Sequence, residues 1–326
     1  MPDINFPLYA IAFFFTFIFT ALIVKRIINP LSKYAKQPIY EDGPAWHMKK
    51  SGTPTMGGIG FLISASLAMI TGAFYLKFIG EVYFSLSLIL TALYALLNGM
   101  IGLIDDYTKL KRKTNAGLTP KQKLLLQTLL ALALIIARKA ILKEGGLVYF
   151  SFGVYDLGLI YYPLVILALV GSVNCANLTD GIDGLAAGVA FAIGLALFYI
   201  SYSVNSDVAL SASVLIGSTL GFLIFNIHPA KIFMGDTGSL FLGALTSACA
   251  VALGNFLIIS AIGIIYLIEG ISVILQVVYY KLTGKRIFKM APIHHHFEKC
   301  GWSENKIVAV FSLITAFACL LAVFLP

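Results

Sequence analysis

The feature that most constrains this chain is a series of long apolar intervals that contain no charged residue. A helix needs about 20 residues to cross the hydrocarbon core of a bilayer. Intervals that approach or exceed this length are 4–24, 51–76, 82–104, 157–179, 184–206, 208–230, 237–268 and 307–326. Since 59% of the residues are hydrophobic and only 12% are charged, the pattern predicts an integral membrane protein built of helices.

Two intervals need interpretation before the spans are counted. The 124–137 run is short, but the three basic residues that follow it can snorkel to an interface and extend it. The 237–268 run is too long for one span, and Gly254-Asn255 divides it into two. The predicted fold is therefore all-α, with ten transmembrane helices in one polytopic domain over 1–326. Glycines and alternating aromatic residues in the connection after the fourth span predict a short hairpin there.

The basic residues fall almost entirely on one side of this topology. Nineteen of the 23 lysines and arginines lie in or beside the connections after spans one, three, five, seven and nine. The four on the opposite side are Lys77, Arg138, Lys139 and Lys143. Because cytoplasmic loops carry the excess of basic residues, these odd-numbered connections are predicted to be cytoplasmic and both termini extracytoplasmic. The net charge of +8 then reflects topology and an anionic ligand, and the sequence carries no motif for binding nucleic acid.

A third predicted span ends in two adjacent aspartates, Asp105 and Asp106, which a dense run of lysines follows. The C-terminus of a helix disfavours negative charge by about 0.3–1 kcal/mol per group, and a neighbouring like charge adds to that cost. The carboxylates therefore need a compensating cation, which is a metal ion, Lys109 one helical turn on, or both. A solvated loop in which the lysines balance the acids is the alternative.

Two further cytoplasmic connections carry residues suited to an anion. In the first, Lys50 and Thr55 lie among glycines that let backbone approach a ligand, although a plain loop with a threonine cap fits equally well. In the third, Thr119-Pro120 predicts a helix cap and first-turn proline. Lys121 then projects from a helix N-terminus that favours phosphate, unless it only snorkels to the headgroups.

The fifth and seventh connections are unusually polar for turns between apolar spans. The fifth holds Asn177, Asp180 and Asp183 within seven positions. Asp180 could simply cap the sixth helix, which is worth about 1 kcal/mol. The seventh holds Asn226, His228, Phe233 and Asp236. Phe233 would suit stacking on a planar ring or a place at the membrane interface, and Asp236 is equally a candidate N-cap and a candidate metal ligand.

The ninth connection contains three consecutive histidines, His294, His295 and His296. They project in different directions in any regular conformation, so they are poor ligands for one tetrahedral zinc ion and better suited to contact phosphate or hydroxyl groups. Gln276, shortly before this connection, is expected to face the same cavity. Glu269 is the only acid deep in a predicted span, which counts against a secondary transporter with polar groups at the bilayer midplane.

Sidedness connects these residues. All five of the aspartates singled out, the histidines and most of the lysines lie on the predicted cytoplasmic face. Acids at helix ends avoid the roughly 2.5–3.5 kcal/mol that each would cost inside the bilayer. Such a group of acids and lysines is typical of a Mg²⁺-dependent site for phosphoryl chemistry at the membrane surface.

Four motifs resemble those of the phospho-N-acetylmuramoyl-pentapeptide-transferase family, within the polyprenyl-phosphate N-acetylhexosamine-1-phosphate transferase superfamily. They are DDYTKLKRK, NLTDGIDGLA, FNIHPAKIFMGDTGSL and MAPIHHHFE. The first two are typical of the superfamily, and the histidine motif points to the muramoyl-pentapeptide branch. The resemblance covers nearly the whole chain and includes ten spans with outward termini.

The resemblance implies an Mg²⁺-dependent phosphoglycosyl transferase in the cytoplasmic membrane of a bacterium. Its substrates would be UDP-MurNAc-pentapeptide and undecaprenyl phosphate, and its products lipid I and UMP in peptidoglycan synthesis. Members of the family are typically homodimers and bind uridine-containing nucleoside inhibitors. A UDP-GlcNAc:polyprenyl-phosphate GlcNAc-1-phosphate transferase is the alternative within the superfamily, and an intramembrane aspartyl protease is a weaker alternative outside it.

Carried over by position, the family's motifs imply a role for each candidate residue. Asp236 would bind Mg²⁺, and Asp105 and Asp106 would be catalytic acids near the lipid phosphate. The implied phosphate-binding residues are Lys109 and Lys121, with Lys50 and Thr55 nearby. Residues implied to surround the nucleotide, the pyrophosphate or the sugar are Asn177, Asp180, Asp183, Asn226, Phe233, His294, His295 and His296. A covalent phosphoryl intermediate on Asp105 and a single direct transfer both remain open.

The predicted orientation can be tested with Cys300, which lies in the ninth connection. In a variant without the other cysteines, we expect an impermeant thiol reagent to label Cys300 only after the cells are permeabilised. Labelling in intact cells would place this connection outside and overturn the shared cytoplasmic site.

Overall fold

The computed structural model describes residues 6–34, 52–112, 114, 116–204 and 206–322. Its helices are α1 (Phe6–Tyr34), α2 (Ile59–Phe78), α3 (Val82–Arg112), α4 (Pro120–Ala137), α5 (Tyr161–Thr179), α6 (Leu185–Ser201), α7 (Ser206–Asn226), α8 (Gly235–Ala252), α9 (Ile258–Ile262), α10 (Ile264–Thr283), α11 (Ile293–Lys299) and α12 (Glu304–Ala322). A π-helical turn (Arg138–Leu142) continues α4, and a 3₁₀ turn (Gly158–Ile160) precedes α5. Strands β1 (Leu147–Phe150) and β2 (Gly153–Asp156) form an antiparallel hairpin.

The helices confirm the prediction of a helical, multi-pass membrane protein. In the described part of the chain, eight helices are long and apolar enough to cross a membrane, and α6 is a shorter apolar helix. The break at Gly254-Asn255 is also confirmed, because α8 ends at Ala252 and Gly254 has a left-handed φ of +74°. A second break at Gly263 separates α9 from α10 and was not predicted. The count of ten spans and their orientation stay predictions.

Helix α8 is the central element of the bundle. Every residue from Thr237 to Ala252 is buried. Small residues let other helices approach it closely, as is common between membrane helices. A Cβ on Gly102 of α3 would lie 2.1 Å from the carbonyl oxygen of Asp236, and one on Gly243 of α8 would lie 2.7 Å from Cα of Val173 in α5. The close approach of α3 and of α5 to α8 therefore depends on glycine. This approach brings the polar ends of α3 and α5 to the start of α8.

The predicted hairpin is present, but Arg138, in the π-helical turn before it, does not lie at the surface as the sequence predicts. Arg138 is only 3% exposed and does not snorkel to an interface. Its Nε and Nη2 donate hydrogen bonds of 2.7 and 2.9 Å to the carboxylate of Glu144. Burial of a guanidinium requires such a partner. Lys139 and Lys143 are exposed, in keeping with the prediction for those two residues.

Candidate active site

Three carboxylates meet where the end of α3 passes the start of α8. Oxygen atoms of Asp105, Asp106 and Asp236 lie within 4.8 Å of one another. The two α3 aspartates do not terminate their helix as predicted, since α3 continues to Arg112. Asp105 is paired with Lys109 at the i,i+4 spacing, and such a pair stabilises a helix. The positive charge of Lys109 therefore allows α3 to continue past its two aspartates.

Asp106 caps α8 from a different helix. Its Oδ1 accepts a hydrogen bond of 3.1 Å from the Asp236 amide, and its Oδ2 accepts bonds of 2.9 and 2.7 Å from the amide and hydroxyl of Thr237. The interpretation of Asp236 as the N-cap is wrong, because the residue at the cap position is Met234, whose own side chain makes no capping hydrogen bond. Since Asp106 satisfies the first-turn amides, the Asp236 carboxylate is left for other partners.

Two lysines neutralise most of the negative charge. The Lys109 Nζ lies 2.6 Å from Asp105 Oδ2 and 3.3 Å from Asp236 Oδ2. The Lys123 Nζ lies 3.0 Å from Asp105 Oδ2 and 2.5 Å from Asp236 Oδ2. We call these four residues, together with Asp106, the acid–lysine cluster. With all five groups ionised, the cluster carries one net negative charge, which favours a further cation.

Lys123 was missed by the sequence reasoning, which selected Lys121. Helix α4 does begin as predicted, with a capping box at Thr119 and Pro120 in its first turn. Residues two apart on a helix differ by about 200° in direction, so Lys121 is exposed when Lys123 points to the acids. The signal available in the sequence was Gln127, a polar residue within an apolar run, one turn after Lys123. Gln127 is fully buried, so the inward face of α4 carries both residues.

Helix α5 contributes Asn177 to the same site. Its Nδ2 donates hydrogen bonds of 3.1 Å to Asp236 Oδ1 and 2.8 Å to Ser239 Oγ. Asp180 follows the end of α5 and does not cap α6, which begins at Leu185 after Gly184. Burial raises the pKa of the Asp180 carboxyl well above its ordinary value, and the negative charges of Asp236 and Asp106 raise it further.

Asp183 belongs to a second group that could hold a cation, with His228 and Glu304. Its Oδ2 lies 2.9 Å from His228 Nδ1 and accepts a hydrogen bond of 3.0 Å from the Ala230 amide. Glu304 Oε2 in turn accepts a bond of 3.1 Å from the Asp183 amide. Glu304 was not selected from the sequence, because it lies 121 residues from Asp183 and no local pattern connects the two.

The connection after α7 is held against the rest of the site by backbone hydrogen bonds. Asn226 Oδ1 accepts a bond of 3.0 Å from the Gly184 amide, and its Nδ2 donates one of 2.9 Å to the Ile232 carbonyl. The amide of Phe233 donates to the Pro54 carbonyl at 2.8 Å. Asn226 thus joins two loops through backbone contacts, and the Phe233 side chain is half-buried.

The glycine-rich loop before α2 approaches protein backbone. A Cβ on Gly58 would lie 2.4 Å from Cα of Gly238, and the Gly57 amide donates to the Phe233 carbonyl at 2.8 Å. The expected close approach is therefore made to the start of α8. Thr55 is buried there, whereas Lys50 lies outside the described residues.

The three histidines of α11 have three different sets of neighbours, as predicted. His294 Nδ1 lies 3.0 Å from Glu269 Oε1, and His295 Nδ1 lies 2.6 Å from Glu298 Oε2. His296 Nδ1 accepts a hydrogen bond of 3.1 Å from the Lys289 amide. The deep acid Glu269 is therefore explained by a partner, which the sequence alone did not indicate.

Gln276 organises the connection that precedes these histidines. Its Oε1 accepts hydrogen bonds of 3.1 and 2.9 Å from the amides of Ile287 and Phe288, and its Nε2 donates one of 3.4 Å to the Phe288 carbonyl. Both ends of its amide group therefore contact backbone. A direct contact of Gln276 with substrate stays a prediction.

Family comparisons agree with this geometry. A family model described as glycosyl transferase family 4 matches residues 86–254, a range that holds the whole acid–lysine cluster. The chain is therefore a membrane transferase of that class. A model described as phospho-N-acetylmuramoyl-pentapeptide-transferase signature 1 matches residues 50–62, which include the glycine-rich loop that contacts the start of α8.

Similar proteins identify the family within this class. The phospho-N-acetylmuramoyl-pentapeptide-transferase of Caldicellulosiruptor bescii is 44% identical over 306 residues, which cover 92% of each chain. Those of Clostridium acetobutylicum and Halalkalibacterium halodurans are 45% identical over 294 residues (88% of each chain) and 42% identical over 310 residues (93% of each chain). The chain belongs to the phospho-N-acetylmuramoyl-pentapeptide-transferase family.

The different partners of two cluster acids predict different effects of the same isosteric change. Asp106→Asn places an amide donor among the donors of the α8 first turn, so we expect a loss of about 1–3 kcal/mol of stability. Asp236→Asn keeps those hydrogen bonds, brings the net charge of the acid–lysine cluster to zero and leaves Asp105 as a partner for both lysines, so its stability should change less. Apparent unfolding midpoints in detergent without added Mg²⁺ measure both. Equal losses for the two variants would contradict the capping role of Asp106.

Proposed function

We propose that this chain transfers phospho-MurNAc-pentapeptide from UDP-MurNAc-pentapeptide to undecaprenyl phosphate at the cytoplasmic membrane of a bacterium. The products would be lipid I and UMP, in the membrane stage of peptidoglycan synthesis. The observation that carries the proposal is the convergence of Lys109 and Lys123 on Asp105 and Asp236. Phosphoryl transfer depends on positioned charge more than on any other catalytic device, and this cluster supplies charge of both signs.

The reaction needs no strong base. A phosphate monoester has its second pKa near 6, so the lipid phosphate is largely dianionic at neutral pH. One of its oxygens forms a bond to the sugar-linked phosphorus, and the bond from that phosphorus to UMP breaks with its electron pair on the departing UMP oxygen. Lys109 and Lys123 stabilise negative charge on the transferring phosphoryl group.

The surroundings of Asp105 support a positioning role for this residue. Its Oδ1 accepts a hydrogen bond of 2.7 Å from the Leu118 amide, and its Oδ2 contacts both lysines. Its side chain is fully buried. A covalent phosphoryl intermediate would require these contacts to break, so direct transfer with Asp105 holding Lys109 and Lys123 in place is favoured.

The cluster has the donor set that Mg²⁺ prefers, namely carboxylate oxygens. Of its three acids, Asp236 has the most exposed side chain, at 15% against 0% and 4% for Asp105 and Asp106. Asp236 would therefore bind Mg²⁺, with Asp105 and Asp106 close by. When bound, the ion would neutralise the pyrophosphate and make UMP a better leaving group.

The uridine nucleotide would lie between the Phe233 ring and the turn that follows α5. Phe233 is half-buried and lies three residues before Asp236 in the sequence, and base–aromatic stacking is typically worth about 1–3 kcal/mol. Asn177, Asp180 and Asp183 would surround the nucleotide, and His295 and His296 would contact the pyrophosphate or sugar. Homodimer formation and binding of uridine-containing nucleoside inhibitors belong to the same proposal through the family resemblance.

One assay tests the proposed reaction directly. Purified protein is incubated with undecaprenyl phosphate, Mg²⁺ and either UDP-MurNAc-pentapeptide or UDP-GlcNAc, and UMP and lipid products are measured. We expect UMP and a pentapeptide-bearing lipid with the first donor only. Turnover of UDP-GlcNAc alone would assign the chain to the other branch of the superfamily, and no release from either donor would refute the proposal.

Two neighbouring lysines provide a matched pair for the charge argument. Lys123→Met removes one cation from the cluster, so we expect kcat to fall by about 10²-fold, as when one charge-stabilising donor is removed. Lys121→Met should lower kcat much less, because Lys121 is exposed on the other side of α4. UMP release measures both. The reverse order would return the phosphate-binding role to Lys121.

A further inference from the structure

Glu269 and His294 form a fully buried pair beside the proposed nucleotide site. Both side chains have no exposed surface, and Glu269 Oε1 lies 3.0 Å from His294 Nδ1. Burying an acid at this depth is costly unless it is paired. The pair also joins α10 to α11, although 25 residues separate the two positions.

The hydrogen bond fixes which ring nitrogen carries the proton. A carboxylate can only accept, so Nδ1 donates to Glu269 and Nε2 keeps its lone pair. Among the described residues, Nε2 has no hydrogen-bond partner. A proton on Nε2 would be a buried donor without an acceptor, so the neutral ring with its proton on Nδ1 is the form that fits this position.

The Nε2 edge of the ring lies against the turn that follows α5. A Cβ on Gly181 would lie 2.1 Å from His294 Nε2. Gly181 does not have a left-handed φ, so glycine is required here for space and not for backbone conformation. Asp180 and Asp183 flank this contact on the same turn. The position of the ring therefore limits where those two acids can lie.

We propose that Glu269 is a positioning residue for the transferase: through His294 it holds the 180–183 turn in the arrangement that binds the uridine nucleotide. Glu269 does not contact the acid–lysine cluster by any described interaction, and it acts through His294. The inference rests on the proposed function for the nucleotide, while the contact between the ring and the turn stands independently of it.

Ring protonation tests the contact without turnover. The protein is labelled with ¹⁵N-histidine, and the His294 signals are assigned by their loss in His294→Gln. We expect the wild-type ring to be protonated on Nδ1 and not on Nε2. In Glu269→Gln the Nδ1-protonated form should decrease, because an amide can donate as well as accept. A wild-type ring protonated on Nε2 would overturn the proposal.

Nucleotide binding tests the consequence for the turn. Glu269→Gln should weaken UMP binding, measured by calorimetry, by about 10–100-fold, by analogy with the loss of metal affinity when the partner that orients a metal-bound histidine is removed. The KM for undecaprenyl phosphate should change less than about twofold, since Glu269 has no described contact with the acid–lysine cluster, where the lipid phosphate is proposed to react. Equal losses of affinity for UMP and for undecaprenyl phosphate would indicate general unfolding and contradict a positioning role.

A glycine pair gives a second route that does not depend on the folding of Glu269 variants. Gly181→Ala puts a methyl group in the place of the His294 ring edge, so it should weaken UMP binding and shift the His294 signals. Gly171→Ala, in α5, is the control, because a Cβ there meets nothing within 4 Å. Wild-type UMP binding by Gly181→Ala would overturn the proposal. Absence of UMP release by the wild-type protein would refute the proposed function. The measurement of ring protonation would then still test the contact between Glu269 and His294.

Discussion

The hydrogen bonds from the first turn of α8 to the Asp106 carboxylate are the contact on which the site depends. They join α3, whose last turn carries lysines, to α8, whose first turn carries Asp236. Because Gly102 lets α3 approach the Asp236 backbone, this bond forms at the crossing of the two helices. These hydrogen bonds satisfy amides at the N-terminus of α8 and leave the Asp236 carboxylate to pair with Lys109 and Lys123.

Charge balance explains why the acids and lysines occur together. Three carboxylates in a largely buried position would repel one another strongly, and two ammonium groups reduce the total to a single negative charge. Lysine suits this place because its ammonium is a compact charge on a flexible stem. The same groups can therefore pair with carboxylates before substrate binds and with phosphate oxygens afterwards. A site of this kind is ready for a substrate that carries several negative charges.

Much of the fold could be predicted from the sequence, because the membrane limits the chain to helices of a fixed length. The uninterrupted apolar intervals therefore predicted the long helices, and Gly254 marked the end of α8. The end of α3 was predicted too early, since pairing of Asp105 with Lys109 carries the helix past its acids. Such an extension depends on a local i,i+4 charge pair, which a hydropathy pattern does not contain.

The site was predicted less completely, for a physical reason that the residues illustrate. Asp105, Asp106, Lys109, Asn177 and Asp236 meet as expected. The cap of α8 comes from Asp106, 131 positions before Thr237, and Glu269 finds His294 across a helix connection. Local rules assign caps to neighbours in sequence, so they gave that role to Asp236. Lys123 was recognisable only from the buried face of α4, which a segment with apolar residues on all sides conceals.

The most direct test of the central claim is a measurement of divalent-ion binding at the acid–lysine cluster. Electron paramagnetic resonance with Mn²⁺ in place of Mg²⁺, at saturating UMP, reports the bound ion without turnover. If the acid–lysine cluster holds the ion, Asp236→Asn should weaken Mn²⁺ binding by at least about tenfold, since hard cations prefer carboxylates. Glu304→Gln, in the second acidic group, should bind Mn²⁺ as the wild type does. Loss of binding in Glu304→Gln together with wild-type binding in Asp236→Asn would place the ion at the other group and contradict the account.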